Sequence, residues 1–308
     1  MRTAGILLLA AVAGFGQGRG QQPALRSKIA VYDVAAKSSR VIFTADQIWE
    51  APNWSVDGKF LLVNSGGKLY RLAPDGAGGP QKIDLDEKYR CNNDKAFSWD
   101  GKLLGFSASV AGGRGSQVYV AGADGSSPKL LTPATPSYFH GWSPDNQWMA
   151  FVGQRDGKTF HLFRVPVGGG EEQVLTTAGE YDDGPEYSPD GKWIYFNSIR
   201  SGGWDVWRMP AAGAGPNDAK AERITNDDLE DWFPHISPNG KSMVWLSFPK
   251  GTNGHNGRIP GVQLRMASVP VKKIQTLTTF FGGQGTINVN SWSPDSKKFA
   301  YVIYEPVP

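Results

Sequence analysis

Tyr187-Ser188-Pro189-Asp190-Gly191-Lys192 is the stretch of sequence that decides the fold, and the apolar run Trp193-Ile194-Tyr195-Phe196 follows it directly. An Asp-Gly pair between two apolar segments is typical of a tight β-hairpin, because glycine adopts the positive φ that the turn needs and aspartate tolerates it. The stretch therefore predicts two antiparallel strands joined by a short turn.

Five further copies of this turn occur along the chain, and they begin at Trp54, Phe97, Trp142, Ile236 and Trp292. The fourth residues of the six copies stand at positions 57, 100, 145, 190, 239 and 295, so that successive turns are 43 to 56 residues apart. A period of roughly 40–50 residues built from short strands is the pattern of propeller blades. The recurring aspartates are predicted to make local turn hydrogen bonds rather than to bind calcium.

Each repeat predicts four strands: an inner strand that ends in the turn, an apolar second strand, an alternating third strand and a short outer strand. The strand pair at 29–34 and 40–44 has no such turn before it, and the hairpin at 292–304 has no strand pair after it. We therefore predict an all-β, six-bladed β-propeller of four-stranded antiparallel blades, in which the N-terminal strands complete the last blade. This closure removes an exposed sheet edge. No stretch has a convincing helical period.

The N-terminus has the pattern of an export signal, with Arg2 before an apolar run over 4–13 and small residues at Ala11-Val12-Ala13. The run is shorter than the about 20 apolar residues of a transmembrane helix. We expect a signal peptide and flexible leader over residues 1–23, a single propeller domain over 24–308 and no transmembrane segment. The expected location is the periplasm or the cell exterior.

Composition narrows the function classes. A net charge of +3, without clustering, does not favour nucleic-acid binding. The chain has 11 Trp, most of them near repeat positions, which we interpret first as packing between blades. Cys91 is the one cysteine, so no intramolecular disulfide can form, and we expect it to be a small buried side chain.

The Ser-Pro-Asp-Gly-Lys turn, its apolar strand, the segment Trp204-Asp205-Val206-Trp207-Arg208-Met209 and Ile224-Thr225 together resemble the TolB-like β-propeller repeat. The resemblance extends from about Lys28 to Tyr304. Such repeats occur in the periplasmic Tol-Pal component, in propellers attached to prolyl-oligopeptidase-type peptidases and in oligogalacturonate lyases. The chain has no Gly-x-Ser-x-Gly elbow of a peptidase, and we expect no separate α/β domain of the kind that precedes the propeller of TolB. The resemblance thus implies protein binding at a propeller face.

Polar residues precede the serine of each turn, on strands that line the central channel of a propeller. We expect them to form a ligand-binding channel mouth. The predicted site residues are Glu50, Asn93, Asp94, Tyr138, His140, Asp183, Glu186, Trp232, His235 and Asn290.

Three interpretations of these residues remain open. They can bind a protein segment or glycan, they can hydrogen-bond around a water-filled channel, or His140 and His235 with a carboxylate can hold a divalent cation. The oligogalacturonate lyases resemble the last case, because they hold manganese with channel-mouth histidines, although with more of them. His161 begins a strand and is expected to be ordinary, whereas His255, in the long polar loop over 247–260, is expected to be exposed. That loop either carries binding or is a tolerated insertion.

We expect no catalytic residues and no cofactor. The predicted function is that of a monomeric, exported binding module in the bacterial periplasm or envelope. Its partner would be an envelope protein or peptide segment, or else a polar small molecule or glycan. The alternative is a carbohydrate-active enzyme, similar to oligogalacturonate lyase, with a divalent metal at the channel mouth.

Overall fold

The computed structural model describes residues 24–113, 115–252 and 254–307. Within these ranges the chain forms six sheets, and each of the six repeated turns is present. The predicted export signal over residues 1–23 lies outside the described part of the chain and stays a prediction.

The strands are antiparallel throughout the sheets, and each is short. The N-terminal pair and the first three blades contain β1 (Leu25–Asp33), β2 (Ser38–Ala45), β3 (Glu50–Trp54), β4 (Leu61–Ser65), β5 (Lys68–Leu72), β6 (Gln81–Lys82), β7 (Tyr89–Phe97), β8 (Leu103–Val110), β9 (Gln117–Gly122), β10 (Lys129–Leu130), β11 (Ser137–Trp142), β12 (Trp148–Gln154), β13 (Phe160–Pro166) and β14 (Gln173–Val174). The remaining blades contain β15 (Asp182–Tyr187), β16 (Trp193–Ser198), β17 (Asp205–Pro210), β18 (Glu222–Arg223), β19 (Glu230–Ile236), β20 (Ser242–Phe248), β21 (Ile259–Ser268), β22 (Gln275–Gly282) and β23 (Lys298–Pro306). The described helices are two 3-10 turns, Pro216–Asp218 and Gln284–Thr286.

Blades 1 to 5 are four-stranded sheets in the predicted order, from β3-β4-β5-β6 to β19-β20-β21-β22. The last blade joins the two chain ends, because β1 pairs with β23 from Leu25 opposite Pro306 to Asp33 opposite Lys298, and β2 pairs with β1. Its innermost position is taken by an irregular segment that contacts β23 through a single bridge, Trp292 opposite Phe299. The six-bladed propeller closed by its N-terminal strands is therefore confirmed.

One hydrogen-bond pattern builds every turn. In blade 4 the Ser188 hydroxyl donates to Asp190 Oδ1 at 2.6 Å and accepts from the backbone N–H of Trp193 at 3.0 Å, while the N–H of Lys192 donates to Asp190 Oδ1 at 3.1 Å. Blade 5 makes the same bonds with Asn239 in place of the aspartate. The serine and the turn carboxylate act locally, as predicted, and the bond from Ser188 lowers the pKa of Asp190.

Two blades lack the turn glycine, and the residue that replaces it connects neighbouring blades. Asn146 and Ser296 keep the positive φ, 58° and 60°. The side chain of Asn146 accepts from the N–H of Trp99 in blade 2 at 2.7 Å, and the Ser296 hydroxyl accepts from the N–H of Asn239 in blade 5 at 3.0 Å. A departure from the repeat therefore provides a contact that glycine could not make.

The core lies between the faces of adjacent blades. Between blades 2 and 3, for example, Val118 of β9 packs with Phe139 of β11 and Phe151 of β12 in one buried cluster. Cys91 belongs to the neighbouring cluster and is 6 % exposed. Burial raises the pKa of its thiol to about 12, which agrees with the predicted role as a small buried side chain.

Candidate functional site

The inner strands of blades 1, 4 and 5 share a bulge that directs their polar residues. Ala51, Gly184 and Phe233 have φ values of 48°, 60° and 56°. A proline follows each of them, and then the polar residues Asn53, Glu186 and His235. The strand register shifts at each of these points. A bulge re-aims the next side chains, so that these three meet polar groups of other blades.

Glu186 is the most connected of these polar residues. Its Oε1 accepts from the N–H of Ile236 at 2.9 Å and from Asn290 Nδ2 at 2.6 Å, and its Oε2 lies 2.5 Å from His235 Nδ1. The other imidazole nitrogen, His235 Nε2, lies 2.6 Å from the carbonyl oxygen of Ile287. A carbonyl oxygen only accepts, so Nε2 is the donor in this contact. Both imidazole nitrogens are thus engaged with the protein.

A second polar group lies around His140, further along the channel. His140 Nε2 is 3.2 Å from Asp183 Oδ1, and its ring stacks on Phe233 with 5.9 Å between ring centroids. Burial alone would lower the pKa of His140, but the hydrogen bond to Asp183 and the charges of Asp183 and Asp94 outweigh it and raise the pKa. The same contact lowers the pKa of Asp183 although its burial acts in the opposite direction.

Asp94 and Lys95 bring blade 2 into this group. Asp94 accepts from Asn288 Nδ2 and from Asn92 Nδ2, both at 2.6 Å, and burial raises its pKa to about 6. Lys95 is fully buried and donates from Nζ to the carbonyl oxygens of Glu50, at 3.2 Å, and Ala51. Burial lowers the pKa of Lys95 to about 7. Lys95, which is not among the ten predicted site residues, therefore holds the bulge of blade 1 in place.

The long loop of blade 5 covers the end of the channel at which the inner strands begin. His255 is 4 % exposed, its Nε2 lies 3.8 Å from Asp183 Oδ2, and its ring centroid is 4.1 Å from that of Trp232. From the same loop, Arg258 Nη2 forms a 2.5 Å ion pair with Glu50 Oε1 in blade 1. The prediction that His255 is exposed is wrong, because the loop folds back onto aromatic rings and an acidic group that belong to distant parts of the chain.

The opposite end of the channel, at the repeated turns, opens into a cavity of about 300 Å³. We call it the turn-face cavity. Its wall is formed by aromatic and aliphatic residues that include Trp54, Val56, Phe97, Trp99, Trp142, Tyr187, Pro238, Trp292 and Pro294. Its floor contains Asn53, His140, Glu186 and Asn290.

The tryptophans of this cavity use their polar atoms internally. Their indole N–H groups donate to backbone carbonyl oxygens at 3.0–3.2 Å: Trp54 to Gly58, Trp99 to Trp142, Trp142 to Ala96 and Trp292 to His235. What these four side chains present to the cavity is hydrocarbon.

The floor amides are paired as well. Asn53 Nδ2 donates to the carbonyl oxygen of Asn290 at 2.7 Å, and Asn53 Oδ1 accepts from the N–H of Phe97 at 3.1 Å. Asn290 Oδ1 accepts from the N–H of Trp292 at 3.0 Å, and its amide nitrogen donates to Glu186 and to the carbonyl oxygen of Ile236. The floor therefore links blades 1, 2, 4, 5 and 6 and has its hydrogen bonds made before a ligand arrives.

The structure brings most of the predicted residues into the channel but divides them. His140, Glu186 and Asn290 reach the turn-face cavity, whereas Glu50, Asp94 and Asp183 lie toward the covered end. Asn93 is buried in β7, and Trp232 packs against Trp204 with 3.8 Å between ring centroids. The Tyr138 ring is half-buried beside Phe160. A ligand-binding role for these residues stays a prediction.

Sequence reasoning missed the aromatic wall. Trp54, Trp142 and Trp292 each stand directly before a turn serine and Trp99 directly after one. We interpreted these four tryptophans as packing residues. Their recurrence beside equivalent turns is the signal that could have indicated the cavity.

The predicted metal ligands pair with different carboxylates, His140 with Asp183 and His235 with Glu186. Within residues 24–113, 115–252 and 254–307, no group of three or more His, Cys, Asp or Glu side chains is placed to hold a metal ion. To act as a ligand, His235 would have to give up Glu186 or Ile287. The predicted metal site is untested and stays a prediction.

These features define a closed six-bladed β-propeller with a polar channel, covered at one end and open at the other. A family model described as the TolB beta propeller domain (PD40) matches residues 138–279. "Uncharacterized protein Atu1656" of Agrobacterium fabrum is 41 % identical over 288 residues, which cover 94 % of this chain and 96 % of that protein. The chain belongs to the TolB-like β-propeller family.

Two solved structures have the same fold. One, "putative TolB from Agrobacterium tumefaciens", is 41 % identical with a TM-score of 0.86, over 92 % of this chain and 99 % of that one. TolB from Acinetobacter baumannii is 19 % identical with a TM-score of 0.63, over 84 % of this chain and 64 % of that one, and its likeness concerns the fold alone. In the described part of this chain, no helix has the length and apolar character to cross a membrane.

Proposed function

We propose that the protein is an exported binding module of the bacterial envelope, and that its turn-face cavity takes an apolar side chain from a segment of a partner protein. The observation that carries this proposal is an aromatic cavity whose floor amides and indole N–H groups are already paired within the protein. Entry of an apolar group into such a cavity leaves these amides and indole N–H groups with their partners.

The size of the cavity supports a side chain rather than a folded element. A volume of about 300 Å³ is at the lower end of the range for small-molecule pockets. One or two large side chains fill such a space. Tryptophan-lined pockets at the centre of a contact surface supply much of the affinity of protein interfaces.

The same observation makes a glycan the weaker candidate for this cavity. A sugar exposes hydroxyl groups, and each needs a hydrogen-bond partner once it is buried. Here the polar groups of the floor already have hydrogen-bond partners within the protein: the amides of Asn53 and Asn290 and the carboxylate of Glu186. The lyase alternative would require these groups or the His235–Glu186 pair to rearrange.

A peptide-display selection with a matched pair of variants tests the proposal. Val56 at the cavity wall is 43 % exposed, and Val174 on the outer strand β14 is 53 % exposed and is not part of the cavity lining. A library of random dodecapeptides is selected against the unmodified protein, and individual peptides are then measured by fluorescence anisotropy against Val56→Lys and Val174→Lys.

We expect the enriched peptides to share a large apolar residue and to bind Val174→Lys as tightly as they bind the unmodified protein. We expect them to bind Val56→Lys at least about tenfold more weakly, because the lysine charge would be buried against the ligand. Enrichment of peptides that bind both variants equally would refute the cavity as the binding site.

The metal alternative has its own measurement. The metal content of the dialysed protein is determined, and thermal unfolding is followed while manganese, calcium and zinc are added. Our proposal predicts no stoichiometric ion. An ion that is lost in a His140→Ala, His235→Ala double variant would support the enzyme alternative and direct the search to acidic polysaccharides.

A further inference from the structure

Two identical dipeptides in blade 5 differ in the hydrogen bonds that hold them. Asn239-Gly240 belongs to the turn between β19 and β20, and Asn256-Gly257 belongs to the long loop that covers the channel. Both asparagines are exposed. An asparagine before a glycine cyclises readily, because glycine has no Cβ to hinder the approach of its backbone nitrogen to the asparagine side chain. Since the two dipeptides are the same, their surroundings decide which of them reacts.

Hydrogen bonds hold the reacting atoms of the turn pair. The N–H of Gly240 donates to the carbonyl oxygen of Ser237 at 2.8 Å. Asn239 Oδ1 accepts from the Ser237 hydroxyl at 2.8 Å and from the N–H of Lys241 at 2.9 Å, while the N–H of Asn239 donates to the Ser296 hydroxyl of blade 6 at 3.0 Å. The glycine nitrogen and the side-chain carbonyl group must give up these bonds before they can approach each other.

The loop pair is not held in this way. Among the residues that the structure describes, neither the side chain of Asn256 nor the N–H of Gly257 has a hydrogen-bond partner. The space around Gly257 is open, because the nearest atom that a Cβ there would meet is in the Ile259 side chain, at 3.7 Å. The two reacting groups can therefore meet while the protein stays folded.

We infer that Asn256 is a site of spontaneous deamidation in the folded protein, and that the turn of blade 5 protects Asn239 from the same reaction. The inference does not depend on the proposed function of the turn-face cavity, since it concerns the opposite, covered end of the channel. It assigns a covalent modification to the loop that forms this cover.

The reaction needs water and no other reagent. The backbone nitrogen of Gly257 loses its proton and attacks Cγ of Asn256. The bond between Cγ and the side-chain nitrogen breaks, ammonia leaves with that proton, and a five-membered succinimide ring remains. Water then adds to one of the two ring carbonyl carbons. Cleavage of the ring at Cγ gives aspartate, and cleavage at the backbone carbonyl carbon gives isoaspartate.

The modified residue lies between the two loop residues that contact the channel. His255, directly before it, is buried with Nε2 at 3.8 Å from Asp183 Oδ2, and Arg258, two residues after it, forms the ion pair with Glu50. Either product adds a negative charge beside Arg258, and isoaspartate also lengthens the backbone by one methylene group. The modification therefore changes both the charge and the length of the segment that covers this end of the channel.

Peptide mapping of the aged protein tests the inference. The protein is kept at mildly alkaline pH, either folded or in denaturant, and the tryptic peptides 224–241 and 251–258 are followed over time by mass spectrometry. Fragment ions separate Asn256 from Asn253, which also precedes a glycine in the same peptide. The matched variant is Asn256→Gln, because glutamine has to form a six-membered ring and reacts far more slowly.

In the folded protein we expect Asn256 to deamidate at least about tenfold faster than Asn239, because the turn must open before Gly240 can react. In denaturant the two asparagines should react at similar rates. Equal rates in the folded protein, no reaction at Asn256 there, or a modification of peptide 251–258 that is unchanged in Asn256→Gln overturns the inference. A difference in rate that persists in denaturant overturns the protection by the turn.

Discussion

Ser188 and its five counterparts each perform two tasks in the turn, because one hydroxyl donates to the turn carboxylate or amide and accepts from the first N–H of the next strand. In blade 4 this serine, Ser188, is buried, with 6 % of the residue exposed. A buried donor that loses its acceptor costs more than the bond itself contributes.

Ser188→Ala is therefore expected to lower the free energy of unfolding by about 1–3 kcal/mol, because the N–H of Trp193 loses its acceptor. Chemical denaturation followed by tryptophan fluorescence measures this change. The matched control is Asp190→Asn, which we expect to be nearly neutral because Asn239 makes the same bonds in blade 5. A larger loss for the control than for Ser188→Ala would contradict this account of the turn.

His140 is the residue at which the pH dependence of the channel can be measured. Its pKa is raised above the usual 6.5, so its contribution to stability is fully present below pH 6.5 and is lost as the pH rises through the folded-state pKa. We expect the difference in unfolding free energy between the unmodified protein and His140→Gln to decrease from pH 6 to pH 9. Asp183→Asn should give the same trend, since it removes the same contact. A difference that stays constant with pH would refute the charged pair.

At the scale of the strand, the bulges in the inner strands determine where the polar residues point. Gly184 is at φ +60°, and a Cβ there would lie 2.7 Å from Asn197 Oδ1 and 3.0 Å from Phe233 Cδ1. Ala51 has the same left-handed conformation in blade 1 with a φ of 48°. Phe233 in blade 5 has it as well, with a φ of 56°. The chain therefore tolerates a side chain in this sparsely populated region at two of the three bulges.

Opposite substitutions at these two bulges are expected to have opposite effects. Gly184→Ala should destabilise the fold by about 1–3 kcal/mol. The backbone strain of alanine at a positive φ and the close contact of its Cβ with Asn197 both raise the free energy of the folded state. Ala51→Gly should change stability by less than about 1 kcal/mol in either direction, because relief of strain offsets the greater freedom of the unfolded chain. Thermal unfolding of both variants measures the contrast, and equal effects would show that the bulge is not the cause.

The whole molecule depends on the pairing of its two chain ends. Ile29 of β1 is fully buried and pairs opposite Val302 of β23, whereas Val41 of the neighbouring strand β2 is 47 % exposed. β1 is hydrogen-bonded to β23 along its whole length, so that it closes the ring and covers the outer edge of β23.

Ile29→Asp is expected to destabilise the protein by more than about 4 kcal/mol and to cause aggregation, because it buries an unpaired charge at the closure. Val41→Asp, the same type of change on the exposed face of the adjacent strand, should alter stability by less than about 1 kcal/mol. Analytical size exclusion and thermal unfolding distinguish the two variants. A soluble, cooperatively unfolding Ile29→Asp protein would show that closure of the ring is not required.

The sequence by itself determined the fold, because the Ser-Pro-Asp-Gly turns depend on interactions over five residues or fewer and repeat six times. It also determined the closure by the N-terminal strands. In a closed ring of blades, the unpaired strands at the two ends of the chain can pair only with each other. The repeated turn, of which Tyr187 to Lys192 is one copy, therefore predicts the architecture. The export signal over residues 1–23 and the metal ligands stay predictions.

The tertiary structure alone decided the site. His255 is 72 residues after Asp183 in the sequence and meets it only because the loop of blade 5 folds over the channel. The turn-face cavity is formed by tryptophans from four different blades. Contacts between distant blades depend on the closed ring, whose geometry no short stretch of sequence contains.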